Sequence, residues 1–308
     1  MTTGNPALLR SSASWHLGGP PPVVTIGNFD GVHLGHQALL RQARRLAGVG
    51  SPVVALSFDP LPRDVLRPDH GIPLLQPPAV RAEALVAHGA DHVVLDAFNH
   101  DYAALRPADF AAQVLRGRLG ARAVVVGFDF RFGRGREGTA AGLRELLGLP
   151  VVEVEAVMLG GAPVSSTRVR ARVGEGRVAE ASALLGRVYQ VRGEVVPGDA
   201  RGRQLGFPTA NLARGGGLWP ADGVYAVRAG QGSDGWQGIA NIGPQPTFRG
   251  AERRLEVHLL DAAPDLYGRT VVVDFVARLR DVRRFDGAAA LITQIRADIA
   301  AARAVMAG

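Results

Sequence analysis

The sequence contains no cysteine and no lysine, so all 35 of its basic residues are arginine. The first absence excludes disulfides, thiolate metal sites and cysteine nucleophiles, and it fits a reducing compartment. The second excludes a lysine-dependent phosphate loop and Schiff-base chemistry. Any phosphate must then be held by arginine, histidine, backbone N–H groups or metal. No stretch approaches the roughly 18 uninterrupted apolar residues of a membrane span. The N-terminus also lacks the basic-then-apolar pattern of a secretory signal. A cytoplasmic protein without membrane attachment is the expectation.

What is present describes a chain able to bury a full core, 47% hydrophobic and 20% charged. Its 308 residues are long for one domain and natural for two. The formal charge of +7 and the pI near 10.9 raise the question of nucleic acid. A nucleic-acid binder gathers its charge on one helix or stripe and interleaves aromatics. Here the arginines are scattered and aromatics make up only 6%. The charge therefore reads as a solvated surface with some anion sites, and no nucleic-acid partner is expected.

Through residue 186, short apolar runs alternate with helical patterns. Val23–Ile26, Val53–Phe58, His92–Leu95, Ala123–Val126 and Val151–Glu155 read as strands. Residues 34–47, 78–88, 107–119 and 139–147 carry apolar residues at helical spacing. Continuous apolar strands covered by helices imply a parallel sheet with both faces buried, a doubly wound α/β fold whose ligands sit beyond the carboxyl ends of the strands. After Gly186 the period changes to two. Tyr189, Val191, Gly193 and Val195 alternate with polar residues, as do Leu255, Val257 and Leu259. This pattern, with Gly/Pro-rich turns, reads as an antiparallel barrel or sandwich. A helix over residues 286–303 carries Leu291, Ile295, Ile299 and Ala302 on one stripe. The expected domains are 1–186 and 187–308.

The strand at Val23–Ile26 runs into Gly27-Asn28-Phe29-Asp30-Gly31-Val32-His33-Leu34-Gly35-His36. Two glycines permit a tight turn and close ligand approach, and the following helix start offers free N–H groups to phosphate. His33 and His36, three apart, can share one side of that helix and donate to charge on a transferring phosphate. Val164-Ser165-Ser166-Thr167-Arg168-Val169-Arg170 opens another helix. Its hydroxyls suit helix capping, and with the two arginines they equally suit a triphosphate. In the second half, Gly198-Asp199-Ala200-Arg201-Gly202-Arg203-Gln204-Leu205-Gly206-Phe207-Pro208-Thr209-Ala210-Asn211 is a Gly/Pro-rich loop with a polar end. Thr209 and Asn211 carry hard oxygens of the kind Mg2+ takes. Glu256 alternates with buried Leu255 and Val257, so it is either an ordinary exposed strand glutamate or a carboxylate base.

His33-Leu34-Gly35-His36 and Ser165–Arg170 resemble the paired motifs of the HxGH and ISSTxxR nucleotidyltransferases. Gly127-Phe128-Asp129-Phe130-Arg131-Phe132-Gly133 narrows the resemblance to the FMN adenylyltransferase module of bacterial bifunctional riboflavin kinase/FAD synthetases. Leu205-Gly206-Phe207-Pro208-Thr209-Ala210-Asn211 is similar to the riboflavin kinase signature. In family order follow Gly223–Ala226, Asn241–Thr247, Glu256-Val257-His258 and Leu266-Tyr267-Gly268. Two positions depart from the family: Leu61 stands where histidine is frequent, and Val282 where an acidic residue is usual.

The resemblance implies an N-terminal Rossmann-like domain, a C-terminal six-stranded antiparallel barrel with a terminal helix, and two activities. Riboflavin is phosphorylated by ATP to FMN, and FMN is adenylylated to FAD, with Mg2+ as cofactor. It implies that Glu256 is the kinase base, with Gly206, Pro208, Thr209 and Asn211 around Mg·ATP and Thr209 and Asn211 on the metal. For adenylylation it implies catalytic His33, His36 and Arg170. The substrate-binding residues would be Gly27, Asn28, Phe29, Asp30, Gly31, Asp129, Ser165, Ser166, Thr167 and Arg168. Two rival readings stay open: a nucleotidyltransferase for another acceptor with a passive barrel, and a basic nucleic-acid binder.

Overall fold

The computed structural model describes residues 8–9, 11–15, 19–198, 202, 205–231, 234–247 and 250–307. The chain forms two compact units. The first runs to Pro73 and resumes over Pro78–Ser165; the second takes Leu74–Pro77 and everything from Ser166 onward.

In the first unit six strands form one parallel sheet: β1 (Leu8–Leu9), β2 (Val23–Ile26), β3 (Val53–Phe58), β4 (His92–Asp96), β5 (Ala123–Gly127) and β6 (Val151–Val154). Their order is β1-β4-β3-β2-β5-β6. Successive residues of each strand face opposite ways, and both faces are dry. Val24, Leu56 and Val124 pack with Phe110, Val114 and Leu143 on one side. Val23, Val53 and Val125 pack with Leu39, Leu40 and Leu85 on the other. This double burial is why the strands read as unbroken apolar runs. From β2 the chain steps outward through β3 and β4, then returns to lay β5 on the other edge of β2. The β2/β5 boundary is thus the switch point, where such sheets open a crevice at the carboxyl ends.

Helices occupy Leu34–Ala47, Pro78–Ala87 and Ala140–Leu147. Within the third expected helix, residues Phe110–Arg118 bond i to i+5, a π-type stretch that periodicity does not announce. The two-residue edge strand β1 and the hairpin β7 (Met158–Leu159)/β8 (Ala162–Pro163) are additions to the sequence reading. Both are too short for a period to show.

The second unit contains β9 (Tyr189–Val196), β10 (Ala210–Leu212), β11 (Gly223–Gln231), β12 (Asp234–Thr247), β13 (Gly250–Leu259) and β14 (Thr270–Arg280). They close a six-stranded antiparallel barrel in the order β10-β13-β12-β11-β14-β9. Val191, Tyr225, Val227, Ile242, Leu255, Val257, Val273 and Phe275 are buried on alternate positions. The terminal helix, Ala288–Ala307, covers Ala226 and Ile239 with Ile295, Ile299 and Ala302. Ala226, between two buried neighbours, is buried for that reason. Asp298, 4% exposed, fixes this helix: it accepts from Arg280 Nη2 and Gln294 Nε2, each at 2.7 Å. The helices Ser166–Gly174 and Val178–Leu185 also belong to this unit.

Candidate functional site

The turn after β2 is built to hold two imidazoles. Phe29, Gly31 and Val32 all have positive φ, at 50°, 89° and 42°. For a β-branched residue such as Val32 that conformation is strained, and it persists only where the surroundings impose it. Phe29 is fully buried beneath Gly27, where a Cβ would lie 3.2 Å from its ring. Asp30 is 1% exposed and ion-paired to Arg63 at 3.2 Å. Phe29 and Asp30 therefore act on the shape of the turn, while Asn28 remains exposed at its surface.

The turn ends on His33, the N-cap of the helix Leu34–Ala47, whose Nδ1 accepts the His36 backbone N–H at 3.4 Å. Nδ1 as acceptor leaves the proton of the neutral ring on Nε2. The His33 and His36 rings stack at 3.6 Å, 18° from parallel, and the edge of His36 meets Phe29 at 5.2 Å. Gly35 makes this possible: a Cβ there would sit 3.1 Å from the His33 ring. The two histidines are thus one unit.

The Gly127–Gly133 turn leaves β5, the neighbour of β2, so both expected motifs emerge at the switch point. Phe132 is buried and stacks on Phe130 at 5.4 Å, whereas Phe128 is 49% exposed and Asp129 is exposed. The turn is anchored on the core at one end and open at the other. Beyond β3, fully buried Arg81 donates to the Phe58 carbonyl at 2.6 Å. Burial pulls its guanidinium below the ordinary arginine range, and Asp30, Asp59 and Asp64 oppose that shift. Leu61 is 2% exposed, so the position that departs from the family is packed. Ser165 closes the first unit. Ser166, Thr167, Arg168 and Arg170 lie on the first turns of the helix Ser166–Gly174, around buried Val169.

On the barrel, register brings the expected kinase residues together. Glu256 on β13 pairs with Asn211 on β10 and with Asn241 on β12. Leu255 and Val257 point inward, which leaves half-buried Glu256 on the outer face. Asn211 is 8% exposed, and its Oδ1 is buried with no hydrogen-bond partner among the described residues. It packs on Gly198 so closely that a Cβ there would fall 2.1 Å from Nδ2. Gly202 supports the preceding turn, where its carbonyl accepts from Leu205 and Phe207 N–H. Residues 199–201 and 203–204 of this loop lie outside the described residues. His258, two places beyond Glu256, contacts the Pro208 carbonyl through Nδ1 at 2.8 Å. Beside it opens a cleft of about 370 Å³ lined by Pro208, His258, Leu259, Leu260, Ile299 and Arg303. Gly198 escaped the sequence reading because only the packing of Asn211 reveals its role. Val282 is 44% exposed, and a Cβ on Gly243 would meet it at 3.4 Å.

A histidine pair on a tight turn at the switch point of a parallel sheet, joined to a barrel carrying a Gly/Pro loop opposite a carboxylate, defines a two-module nucleotide-dependent transferase. A family model for FAD synthetase matches residues 19–168, and one for riboflavin kinase matches residues 185–306. The chain belongs to the bifunctional riboflavin kinase/FMN adenylyltransferase family, and it is a transferase with both activities, whose substrates and products are ATP, riboflavin, FMN and FAD.

The bifunctional riboflavin kinase/FMN adenylyltransferase of Pseudomonas fluorescens is 41% identical over 292 residues, covering 92% of this chain and 93% of that protein. Its counterpart in Escherichia coli K12 is 38% identical over 286 residues, 91% of each chain. A crystal structure from Streptococcus pneumoniae titled as a macrolide-efflux protein superposes with a TM-score of 0.88 at 35% identity. It covers 96% of this chain and 98% of that one. Among the described residues here, no helix is long and apolar enough to cross a membrane.

Proposed function

We propose that each activity has its own site, with the kinase chemistry on Glu256, Thr209 and Asn211 and the adenylyl transfer on His33, His36 and Arg170. The observation that carries the kinase half is the direct pairing of Asn211 with Glu256 across β10 and β13. In this reading the terminal ribityl hydroxyl of riboflavin attacks the γ-phosphorus of ATP. Glu256 takes its proton, the new O–P bond forms, and ADP leaves with the bridging oxygen.

The metal reading is tested by the oxygens available. Mg2+ takes few protein oxygens and completes its shell with phosphate and water. The buried Oδ1 of Asn211, which has no hydrogen-bond partner among the described residues, fits that demand, with Thr209 Oγ1 as the second protein donor. No cluster of three acidic or histidine side chains exists among the described residues to make a protein-only cage. When bound, Mg2+ would neutralise charge on the phosphates.

For adenylylation, a phosphate oxygen of FMN attacks the α-phosphorus of ATP and pyrophosphate leaves. A phosphate monoester is already a competent nucleophile, so this step needs no base and no covalent enzyme intermediate. His33, His36 and Arg170 donate to the charge that builds up. Ser165, Ser166, Thr167 and Arg168 hold phosphate through hydroxyls, N–H groups and charge. Gly27 and Gly31 shape the turn, exposed Asn28 meets substrate at its surface, and Asp129 meets substrate at the open end of its own turn. The chain acts in the cytoplasm on small molecules and takes no nucleic acid.

Two experiments arise here. Gly198→Ala should displace the Asn211 amide, because the added Cβ occupies its place. FMN formation should fall about 10–100-fold, the scale for losing a supporting contact at a metal ligand, with adenylylation unchanged. Parental kinase turnover would remove Asn211 from the mechanism. We also propose that the activities divide at residues 186/187. A fragment of residues 187–308 should phosphorylate riboflavin. It should melt lower than one beginning at Ser166, which retains the bond from Tyr189 N–H to Ser182 Oγ at 2.9 Å. A shorter fragment that is folded by circular dichroism yet inert would refute that boundary.

A further inference from the structure

We propose that His258 is a positioning residue of the kinase site, fastening the turn of residues 207–209 to the strand that carries Glu256. The proposal rests on the reading of residues 205–211 as the phosphate-side loop and adds to it a residue with no chemical role of its own.

His258 follows Glu256 by two places on β13, so both leave the strand on the outer face, away from Leu255, Val257 and Leu259 in the barrel interior. The ladder between β13 and β10 runs from Leu212 to Ala210, opposite Val257, and stops there. Pro208 has no N–H with which to extend it. A side chain takes over at that point. His258 Nδ1 lies 2.8 Å from the Pro208 carbonyl, and its ring meets Phe207 edge-on at 5.6 Å. A carbonyl only accepts, so Nδ1 carries the proton, as it does both in one neutral tautomer and in the imidazolium. The bond therefore survives protonation of the ring.

Thr209 consequently stands between two anchors on one strand. Ahead of it Pro208 is tied to His258, and behind it Asn211 is paired with Glu256. Among the described residues the start of the turn is held by backbone bonds, with Leu205 and Phe207 N–H donating to the Gly202 carbonyl at 3.1 and 2.8 Å. Gly206 and Pro208 themselves are exposed. The side-chain tie from His258 therefore adds to the preorganisation of Thr209 for phosphate.

The test uses the full chain, with Mg·ATP varied against riboflavin and supplied FMN assayed for adenylylation in the same preparations. His258→Ala should raise the KM for ATP about tenfold, the scale of one hydrogen bond with its ordering, with a smaller change in kcat and none in adenylylation. His258→Asn, whose amide can donate from nearly the same place, should restore most of the loss. His258→Phe, which keeps the ring against Phe207 without a donor, should behave like alanine and decides the matter if the alanine variant does not fold. Parental KM in His258→Phe overturns the proposal. So does equal damage in the Asn and Phe variants, since that makes the site a packing position. Asn211→Ala separates the two levels: retained kinase activity there would sink the loop reading itself, whereas its loss beside an unaffected His258→Phe would sink only the role of His258.

Discussion

Glu256→Gln should stop conversion of riboflavin to FMN while supplied FMN is still turned into FAD. Glutamine keeps the shape of the side chain and its place opposite Asn211 but cannot accept the hydroxyl proton. Losing a general base costs on the order of 10²–10⁴ in rate. The structure makes this a sharp expectation, because Glu256 points out of the barrel and contributes nothing to its interior. A glutamate on that face serving only solubility would tolerate the change. Measuring both half-reactions on one purified variant keeps the test internal, since misfolding removes both. Undiminished kinase turnover would take Glu256 out of the mechanism.

The second large effect belongs to His36. His36→Ala should abolish FAD formation and spare FMN formation, with a loss of about 2–4 kcal/mol in transition-state stabilisation, the scale for one preorganised donor. The imidazole is set by its stack on His33 and its edge contact with Phe29. His33 is set in turn by capping the helix and lying over Gly35. Gly35→Ala should therefore reproduce part of the His36→Ala loss by pushing the His33 ring, although it removes no donor. FAD production at the parental rate in His36→Ala would refute the assignment.

Sequence patterns revealed the parallel sheet because its strands are buried on both faces, and the barrel because its strands are buried on one. They missed β1 and the β7/β8 hairpin, where two residues define no period. They also missed the π-type stretch at Phe110–Arg118, whose apolar spacing is close to that of an ordinary helix. At the sites, residue types announced the histidines, Glu256, Thr209 and Asn211, and resemblance supplied their roles. Nothing in the sequence distinguished Phe29 and Asp30, which are buried and hold the turn, from exposed Asn28. Nor did it show why Gly198 must lack a side chain or that His258 reaches Pro208. Those facts depend on strand register and packing, which bring together residues far apart in the chain.

The most direct test of the two-site account is chromatography of the products formed from riboflavin and Mg·ATP by the parental chain, Glu256→Gln and His36→Ala. The parental chain should yield FMN and then FAD, with ADP from the first step and pyrophosphate from the second. His36→Ala should accumulate FMN, and Glu256→Gln should leave riboflavin untouched yet make FAD when FMN is supplied. A parental chain that adenylylates an acceptor but never forms FMN, or two variants with the same product profile, would contradict it.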